Sequence, residues 1–488
     1  MATAPGALVA AEKAAAPPVQ GGDFEINEVV YVRKHVTSEN WYEVLSLQET
    51  VNESGSSFNL LHHRVPEASG QYAKDVFDEL LITTIPEYLR NAPSRKVHVV
   101  VSTGSGTGLA LDFYQYALKP LLKSLGLSSE DTELGSNQDA YALTITQDSH
   151  SIRRFARDLS ISSNGLNDKI LQHTIILLSG DGGTIELLNG KAPGDTIDDL
   201  DVSQPLIATL PLGTGNALFH SLHKPLYPDS DETNGPTPLV LGLRTLLRGR
   251  PKPLPSFEVN FSPGSRTITY SKLDDNNTNV PPDSNDNFKE QFDTISHLHG
   301  AIVASYGFHS QLVWESDTPE YRKHGSNRFQ MVAAELLKEN HEYNASVEIV
   351  SRDGSTQSQL DREKHAYILA TLVSNLEKTF TISPASRPLD GQLRLVHFGP
   401  VPAKKVMDIM IQAYNNGKHV DMEWEGTKGE TEKVGYVDVQ DVKVTTHEKD
   451  ARWRKVCIDG TIVEIPEGGS MAVTTETKHH LQVLAPWL

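Results

Sequence analysis

The sequence contains almost no cysteine and no long apolar run. Cysteine occurs once in 488 residues, at Cys457, so an internal disulfide is excluded and a reducing compartment is favoured. No stretch approaches the roughly 18 apolar residues that a membrane-spanning helix needs. The first 23 residues have no basic segment followed by an apolar core, which argues against a secretory signal peptide. We therefore expect a cytoplasmic protein.

Positive charge is also scarce. The chain has 44 lysines and arginines against 63 aspartates and glutamates, which gives a formal net charge of −19. Such a chain is repelled by nucleic-acid phosphates, so we expect no nucleic-acid partner. No polybasic cluster is present to hold it on an anionic membrane. Contact with membranes is therefore expected to be peripheral and transient, and the sequence does not indicate an oligomeric state.

Two glycine-rich segments that each follow an apolar run form the main signal in the sequence. Residues 175–178 precede SGDGGT at 179–184, and residues 206–210 precede PLGTGN at 211–216. A helical pattern follows each of them. Tandem strand–loop–helix units predict a parallel sheet that binds ligands at the carboxyl ends of its strands. Because glycine turns let phosphate approach backbone N–H groups, we predict a phosphate-handling enzyme with Asp181 as its central acid.

A third unit of this kind lies upstream. The β-branched run at 96–101 ends in STGSGTG at 102–108, and an amphipathic helical pattern follows. Leu109 stands where a dinucleotide fingerprint would need glycine, and no GK[ST] follows that would indicate a P-loop. Taken alone, the segment is equally compatible with a tight strand-to-helix turn and with a phosphate cradle.

The hydrophobic patterns predict an α/β plus all-β protein. A Rossmann-like parallel-sheet nucleotide domain is followed by an antiparallel β-sandwich. We predict a disordered lead-in at 1–23, N-terminal strands and a helix at 24–93, the α/β domain at 94–225, and the β-sandwich at 239–488 with a disordered loop at 272–290. We expect the early strands at 24–63 to pack on the β-sandwich, and the segment 480–488 to form its last strand.

Asp181 is the residue whose chemistry matters most. In phosphoryl transfer a carboxylate orients the attacking nucleophile, and Mg²⁺ neutralises the phosphates. Asp181 fits either the role of a base or a role linked to the metal. An aspartate before glycine is also commonly a turn or helix-capping residue. Glu186 lies one helical turn further on and indicates that acidic groups converge around Asp181.

These motifs resemble those of the lipid kinases that include diacylglycerol, sphingosine and ceramide kinases, and their style is closest to sphingoid long-chain base kinases. The matching segments, in the family's order, are 179–190, 211–216, 307–308, 321–322, 389–393 and 458–460. The resemblance implies a nucleotide domain, a lipid-binding β-sandwich and a cleft between them. It also implies an ATP-dependent, Mg²⁺-requiring kinase that phosphorylates a primary hydroxyl of a sphingoid base or related lipid at a membrane surface.

The resemblance also assigns roles to individual residues, with Asp181 as the catalytic base. The candidate nucleotide-binding residues are Ser102, Thr103, Gly104, Ser105, Gly106, Gly180, Gly182, Gly183, Thr184, Glu186, Gly213, Thr214, Gly215, Asn216, Asp459 and Gly460. The candidate lipid-binding residues are Gly307, Phe308, Gln311, Tyr321, Arg322 and Arg328. Of these, Arg322 and Arg328 are candidates for phosphate contact. No side chain is assigned as a metal ligand.

The chain departs from the family pattern at several positions. Ser102-Thr103 replaces Asn-Pro, and Thr107 replaces a lysine of sphingosine kinases. Gln311 replaces an acid that meets the lipid head group, and Thr461 replaces the last carboxylate of a DGE motif. These changes favour an attenuated or retuned kinase. A catalytically weak or inactive nucleotide- or lipid-binding pseudokinase, a diacylglycerol or ceramide kinase, and a soluble-substrate kinase related to NAD kinases remain alternatives.

Overall fold

A computed structural model describes residues 19–20, 24–34, 41–52, 55–67, 74–130, 139–148, 150–164, 172–190, 204–227, 235–272, 288–325, 327–426 and 429–487. The predicted lead-in at 1–23 lies outside these ranges except for residues 19–20, which form a short strand. The predicted loop at 272–290 lies outside them between 273 and 287, and its described ends belong to two paired strands.

Strands outnumber helices along the described chain. The strands are β1 (Val19–Gln20), β2 (Val29–Lys34), β3 (Trp41–Asn52), β4 (Gly55–Pro66), β5 (Arg95–Val101), β6 (Ser128–Ser129), β7 (Ala140–Ile145), β8 (Gln172–Ser179), β9 (Leu206–Pro211), β10 (Arg250–Pro253), β11 (Phe257–Phe261), β12 (Arg266–Lys272), β13 (Phe288–Thr294), β14 (His297–Gly300), β15 (Val303–Gly307), β16 (Tyr343–Ser351), β17 (Gln357–Gln359), β18 (Lys364–His365), β19 (Tyr367–Thr371), β20 (Arg394–Phe398), β21 (Glu423–Glu425), β22 (Thr431–Lys433), β23 (Gly435–Thr446), β24 (Lys455–Ile458), β25 (Thr461–Glu464), β26 (Ser470–Thr475) and β27 (Gln482–Ala485). The α-helices are α1 (Lys74–Leu80), α2 (Ala110–Phe113), α3 (Lys119–Ser124), α4 (Ser151–Asn164), α5 (Asp181–Leu188), α6 (Ala217–His223), α7 (Pro238–Arg248), α8 (Phe308–Ser316), α9 (Pro319–Arg322), α10 (Asn327–Glu339) and α11 (Ala403–Tyr414). A π-helical segment (Tyr114–Leu118) joins α2 to α3, and 3₁₀ turns lie at Ile26–Glu28, Glu87–Leu89, Lys224–Leu226, Lys418–Asp421 and Ala451–Trp453. Within the described ranges, no helix combines the length and the apolar character needed to cross a membrane.

The first domain is built on a seven-stranded sheet in the order β10-β27-β9-β8-β5-β7-β6. Every pair in it is parallel except β10 with β27. The inner strands β5, β8 and β9 are rich in buried apolar residues because both faces of the sheet are covered. Val99 and Val101 face one core, whereas Val100 faces a second core that continues into the β domain. The predicted α/β architecture is confirmed.

The second domain is antiparallel, as predicted. Its central strands β15, β19 and β20 are buried along their whole length. The long strand β23 connects two parts of the sheet, because residues 435–438 pair with β20 and residues 441–445 pair with β26. The apolar side chains of both parts meet in one core. The β domain is therefore a single packed unit that lies against the parallel sheet.

The expectation that the early strands pack on the β domain was wrong. Strands β1 to β4 form their own sheet, and it covers the helices on the outer face of the parallel sheet. Phe58 of β4 packs edge-on against Phe113 of α2, with ring centroids 5.1 Å apart. Arg244 of α7 donates to the backbone carbonyls of Val29 at 2.8 Å and Ile26 at 2.9 Å. The apolar outer sides of these helices are buried against this sheet, which removes them from water.

The expectation for the C-terminal strand was also wrong. Strand β27 lies parallel to β9 in the first sheet and does not close the β-sandwich. Its residues Val483 and Leu484 are buried there. Helix α7 packs against β9, and β10 pairs with β27, so the predicted boundary at 239 is misplaced as well. A short apolar run predicts that its residues form a strand. It does not predict which sheet the strand joins, because that depends on which sheet edge is open.

Candidate active site

Three glycine-rich loops meet where β5, β8 and β9 end. A Cβ atom added at Gly213 would lie 2.4 Å from the Cα of Gly180, and one added at Gly180 would lie 2.8 Å from the Cα of Gly213. A Cβ at Gly106 would lie 2.1 Å from Oγ1 of Thr214. Such distances are far below van der Waals contact, so glycine is required at these positions for the loops to approach each other.

Hydroxyl groups of the first loop hold it against its neighbours. The backbone N–H of Thr103 donates to Oγ1 of Thr146 at 2.9 Å, and the Thr103 hydroxyl donates to the Thr146 carbonyl at 2.9 Å. The hydroxyls of Ser105 and Thr107 both donate to the carbonyl of Leu212, at 2.8 and 2.6 Å. Thr107 stands where sphingosine kinases carry a lysine, and its hydroxyl joins the first loop to the third.

Asn216 shapes the third loop from behind. Its backbone is left-handed (φ 54°), a conformation that asparagine tolerates better than most residues. Its Oδ1 accepts the N–H of Gly213 at 2.9 Å, and its Nδ2 donates to the carbonyl of Gly213 at 2.9 Å. The side chain is buried and does not line the cleft described below. Asn216 thus positions the loop, although the resemblance suggested nucleotide contact.

Asp181 is the first residue of α5 and caps a different helix, α6. Its Oδ2 accepts the N–H of Ala217 at 2.7 Å, and its Oδ1 accepts the N–H of Leu218 at 3.1 Å. Burial raises the pKa of this carboxyl, and the two hydrogen bonds oppose that rise. Each carboxylate oxygen has a second lone pair. The group is therefore held in place and is still able to accept a proton.

Asp459 is a buried carboxyl of the site and comes from the β domain. Its backbone is left-handed (φ 49°), and its carboxylate accepts the N–H groups of Ala301 at 2.6 Å, Ile302 at 3.1 Å and Val303. Burial is the main cause that raises its pKa to about 7, and the negative charge of Asp181 adds to the rise. Asp459 therefore organises the start of β15 beside Asp181.

Glu186 lies on α5 at the other side of Asp181. It is half-buried, and its Oε2 lies 3.2 Å from Nε of Arg153. Burial raises its pKa, and the charge of Arg153 opposes this. Three residues later, Asn189 donates to the carbonyl of His299 at 2.8 Å and accepts the N–H of His299 at 2.9 Å. The helix that begins with Asp181 is thus fastened to the β domain at its other end.

A cleft of about 1290 Å³ separates the two domains, which exceeds the usual size of a small-ligand pocket. Asp181 lines it together with the predicted nucleotide-binding residues, except for Thr184 and Asn216. The β-domain side of the described lining includes Thr269, Tyr270, Ile302, Val303, His309, Val313, Asp317, Arg322, Arg328, Phe329, Leu376, Cys457, Asp459, Gly460 and Thr461. The cleft between domains that the resemblance implied is therefore present.

Arg322 and Arg328 line the cleft, and both lie beside Asp317. Asp317 accepts from Nε of Arg322 at 3.0 Å and from its terminal nitrogen at 2.6 Å, and it lies 3.9 Å from Arg328. Nε of Arg328 is buried and makes no hydrogen bond within the described residues. Both arginines line the cleft, so their positive charge favours an anionic ligand group on this side.

The other predicted lipid-binding residues are not among the described residues that line the cleft. Gly307 has φ 93°, and a Cβ there would lie 2.8 Å from the carbonyl oxygen of Ala366, so it serves a sharp turn before α8. Gln311 is buried, and its Nε2 donates to Glu315 at 2.7 Å. Phe308 and Tyr321 are likewise absent from the described lining. Their direct contact with lipid remains a prediction.

Sequence reasoning missed several residues of the cleft. Asp148 follows β7, the neighbour of β5, so its position after a strand end was an available signal. It binds Arg154 through both carboxylate oxygens, at 3.0 and 2.8 Å. His309 is buried against Ser305, with 2.8 Å between Nδ1 and the hydroxyl, and burial lowers its pKa to about 4. No local pattern marked His309 or Asp317.

Comparison with known proteins agrees with this geometry. Residues 96–236 match the model of the diacylglycerol kinase catalytic domain. The match confirms the resemblance to lipid kinases with this type of catalytic domain, and at the level of the family the domain is that of a kinase. No protein among the curated sequences matches this chain.

Two solved structures are similar in outline. One is described as a diacylglycerol kinase from Bacillus anthracis str. Sterne, with 12% identity and a TM-score of 0.43. The other, from the same strain, has 14% identity and a TM-score of 0.44. Each comparison covers 80% of this chain and 96% of the other. At these identities and TM-scores, the two structures add no argument about substrate.

Two glycines of the site should respond differently to the same substitution. Gly213→Ala is expected to lower the free energy of unfolding by about 1–3 kcal/mol, because its methyl group would overlap Gly180. Gly182→Ala should leave stability unchanged, since no atom lies within 4 Å of its Cβ position, but it should weaken nucleotide binding because the methyl group enters the cleft. Chemical denaturation and nucleotide titration check both variants. Equal effects of the two substitutions on stability would contradict the loop packing.

Proposed function

We propose that this protein is an ATP-dependent, Mg²⁺-requiring lipid kinase that transfers the γ-phosphate to a primary hydroxyl of a sphingoid base or related lipid. One observation carries the proposal. The carboxylate of Asp181 lies where three glycine loops meet, inside a cleft that both domains line. A base at this position can reach a nucleotide held by the loops and an acceptor held by the β domain.

The nucleotide side of the cleft suits phosphate groups. Gly104 and Gly182 have no atom within 4 Å of their Cβ positions and line the cleft, so phosphate oxygens can approach their backbone. Arg322 and Arg328 line the same cleft and bring positive charge to it. Mg²⁺ is usually held by one or two carboxylates together with substrate phosphates. A cleft carboxylate other than Asp181, such as Glu186, would serve that purpose and leave Asp181 to take the proton, and the bound ion would neutralise charge on the phosphates.

The acceptor side supplies the nucleophile. In the proposed reaction, Asp181 accepts the proton of the lipid hydroxyl while the hydroxyl oxygen forms a bond to the γ-phosphorus. The bond between that phosphorus and the bridging oxygen of ADP breaks, and ADP leaves. The N–H groups of Ala217 and Leu218 keep the carboxylate oriented during this step. The raised pKa of Asp181 makes it a stronger base near neutral pH than an exposed aspartate.

Two features on the β-domain side of the cleft bear on the choice of lipid. The Tyr321-Arg322 segment resembles sphingosine kinases, which favours a sphingoid base. Asp317 is the acid beside it in the cleft, yet it is already paired with Arg322 and lies close to Arg328. Charge there is neutralised, so an ammonium group gains little by binding. This observation favours a neutral acceptor, diacylglycerol or ceramide, as the second candidate.

A transfer assay with labelled γ-phosphate in mixed micelles tests the function. Sphinganine, sphingosine, ceramide and diacylglycerol are offered separately, and we expect phosphorylated product from the sphingoid bases. Product from diacylglycerol or ceramide alone would select the neutral-lipid candidate. Binding of Mg-ATP without product from any of the four lipids would contradict the kinase assignment and favour a pseudokinase. Transient contact with the micelle or membrane surface is part of the proposal.

A further inference from the structure

A second cluster of titratable side chains lies at the junction of the domains and away from the cleft. His299, Glu476 and His480 place their ligand atoms within 4.8 Å of one another. Oε2 of Glu476 lies 3.2 Å from Nδ1 of His299, and Oε1 of Glu476 lies 2.8 Å from Nε2 of His480. None of the three belongs to the described lining of the cleft.

The backbone around the cluster is fixed before any ligand arrives. Asn189 binds both the N–H and the carbonyl of His299. The backbone N–H of Glu476 donates to the carbonyl of Ser256 at 3.0 Å, and the Ser256 hydroxyl donates to Oε2 of Glu476 at 2.6 Å. The carbonyl of His479 accepts from Gln204 at 2.8 Å. A preorganised donor set of this kind is what a metal site requires.

The types of donor point to a particular ion. Two imidazoles and one carboxylate form a common ligand set of protein-bound Zn²⁺, which then takes water as its fourth ligand. Tetrahedral bonds of about 2.0–2.1 Å place donors roughly 3.3 Å apart. The carboxylate lies 3.2 and 2.8 Å from the two imidazoles, and the three ligand atoms lie within 4.8 Å of one another, so small side-chain adjustments would bring them to that spacing. The three side chains are 22%, 16% and 15% exposed, so an ion and one water can enter from solvent.

We propose that His299, Glu476 and His480 bind one Zn²⁺ ion, or a similar divalent transition metal, as a structural clasp between the domains. His299 belongs to β14, Glu476 follows β26, and His480 precedes β27. The ion would therefore tie the chain to the β domain at the point where it returns to the parallel sheet. Through Asn189 the clasp is also connected to α5, the helix that begins with Asp181. Binding would stabilise the arrangement of the two domains that forms the cleft.

Metal binding is measured on the untagged, full-length protein after dialysis against a chelator. Zn²⁺ is added in competition with a chromophoric chelator, and one ion per chain is expected. Co²⁺ added in its place should give the visible absorption bands of a tetrahedral site, which a hydrogen-bonded triad would not give. Zn²⁺ should also raise the melting temperature, because it binds the folded state only. None of these readouts depends on kinase activity, so they stand apart from the test of the proposed function.

Three variants complete the experiment. His480→Ala and Glu476→Gln should each weaken Zn²⁺ binding by roughly tenfold or more, and Zn²⁺ should no longer raise their melting temperature. Glu476→Gln keeps the size of the side chain, which covers the case in which His480→Ala fails to fold. His447→Ala is the control, because His447 is exposed and lies outside the cluster. The proposal is overturned if no ion binds stoichiometrically, or if Glu476→Gln retains the affinity of the wild type.

Discussion

Replacing Asp181 with asparagine is expected to lower the rate of phosphoryl transfer by about 10²–10⁴-fold, the usual contribution of a positioned general base. Asparagine has nearly the same shape and still offers one oxygen to the N–H groups of Ala217 and Leu218. Its amide cannot take the proton of the acceptor hydroxyl. The rate is measured with labelled γ-phosphate and the preferred lipid, and Mg-ATP affinity is measured by calorimetry and should change much less than the rate.

A matched control for this variant is Asp112→Asn. Asp112 also lies in the first turn of a helix that follows a glycine loop, but it is exposed and is not among the described residues of the cleft. Its substitution should leave the transfer rate near that of the wild type. If the Asp181→Asn variant kept full activity, the role of Asp181 would be limited to capping α6. A comparable loss of activity in both variants would point to a general effect of lost negative charge.

Replacing Asp459 with alanine should destabilise the protein more than Gly213→Ala does. The N–H groups of Ala301, Ile302 and Val303 would lose their common acceptor in a buried place. Each buried donor without a partner costs about 1–3 kcal/mol, so we expect a loss of at least about 3 kcal/mol in the free energy of unfolding. Alanine also tolerates the left-handed backbone of this position poorly. Urea denaturation measures the loss.

Asp459→Asn separates the causes of that loss. Asparagine accepts the left-handed backbone and keeps one acceptor oxygen, so the loss should be smaller than with alanine. It does not titrate, whereas burial raises the pKa of Asp459 from 3.8 to about 7. Because folding raises this pKa, the folded state favours the protonated carboxyl. This contribution to stability is complete below about pH 4 and is lost as the pH rises through 7. The stability advantage of the wild type over Asp459→Asn should therefore shrink between pH 4 and 7. A constant difference would refute the raised pKa.

Much of the first domain could be predicted from local patterns. The apolar runs before residues 102–108, 179–184 and 211–216 became β5, β8 and β9. Helices α2 and α6 begin just after their glycine segments, whereas α5 begins at Asp181, inside its segment. Because these strands are parallel neighbours, their carboxyl ends had to meet, and Asp181 follows one of them directly. The order of the motifs also sufficed to indicate a lipid kinase, which the matching family model supports at residues 96–236.

The partners of these elements were beyond local patterns. Periodicity predicts that 482–485 is extended, but the open edge of β9 decides that it joins the parallel sheet. The sheet of β1 to β4 likewise packs on the apolar outer surface of the helices of the first domain. That surface exists only after the helices have packed on the parallel sheet.

The candidate site, like the fold, has features that the sequence predicts and features that depend on the tertiary structure. The sequence by itself determined the glycine loops and the acid inside the second of them, Asp181, because their conformations depend on neighbouring residues along the chain. Only the tertiary structure decided that Asp181 is held by the N–H groups of α6 and that Asp459 approaches it from the β domain. It also decided that Gln311 is buried, donates to Glu315 and is not part of the described cleft lining. These features depend on contacts between segments far apart in the chain, where burial and hydrogen bonding, and not residue order, select the partner.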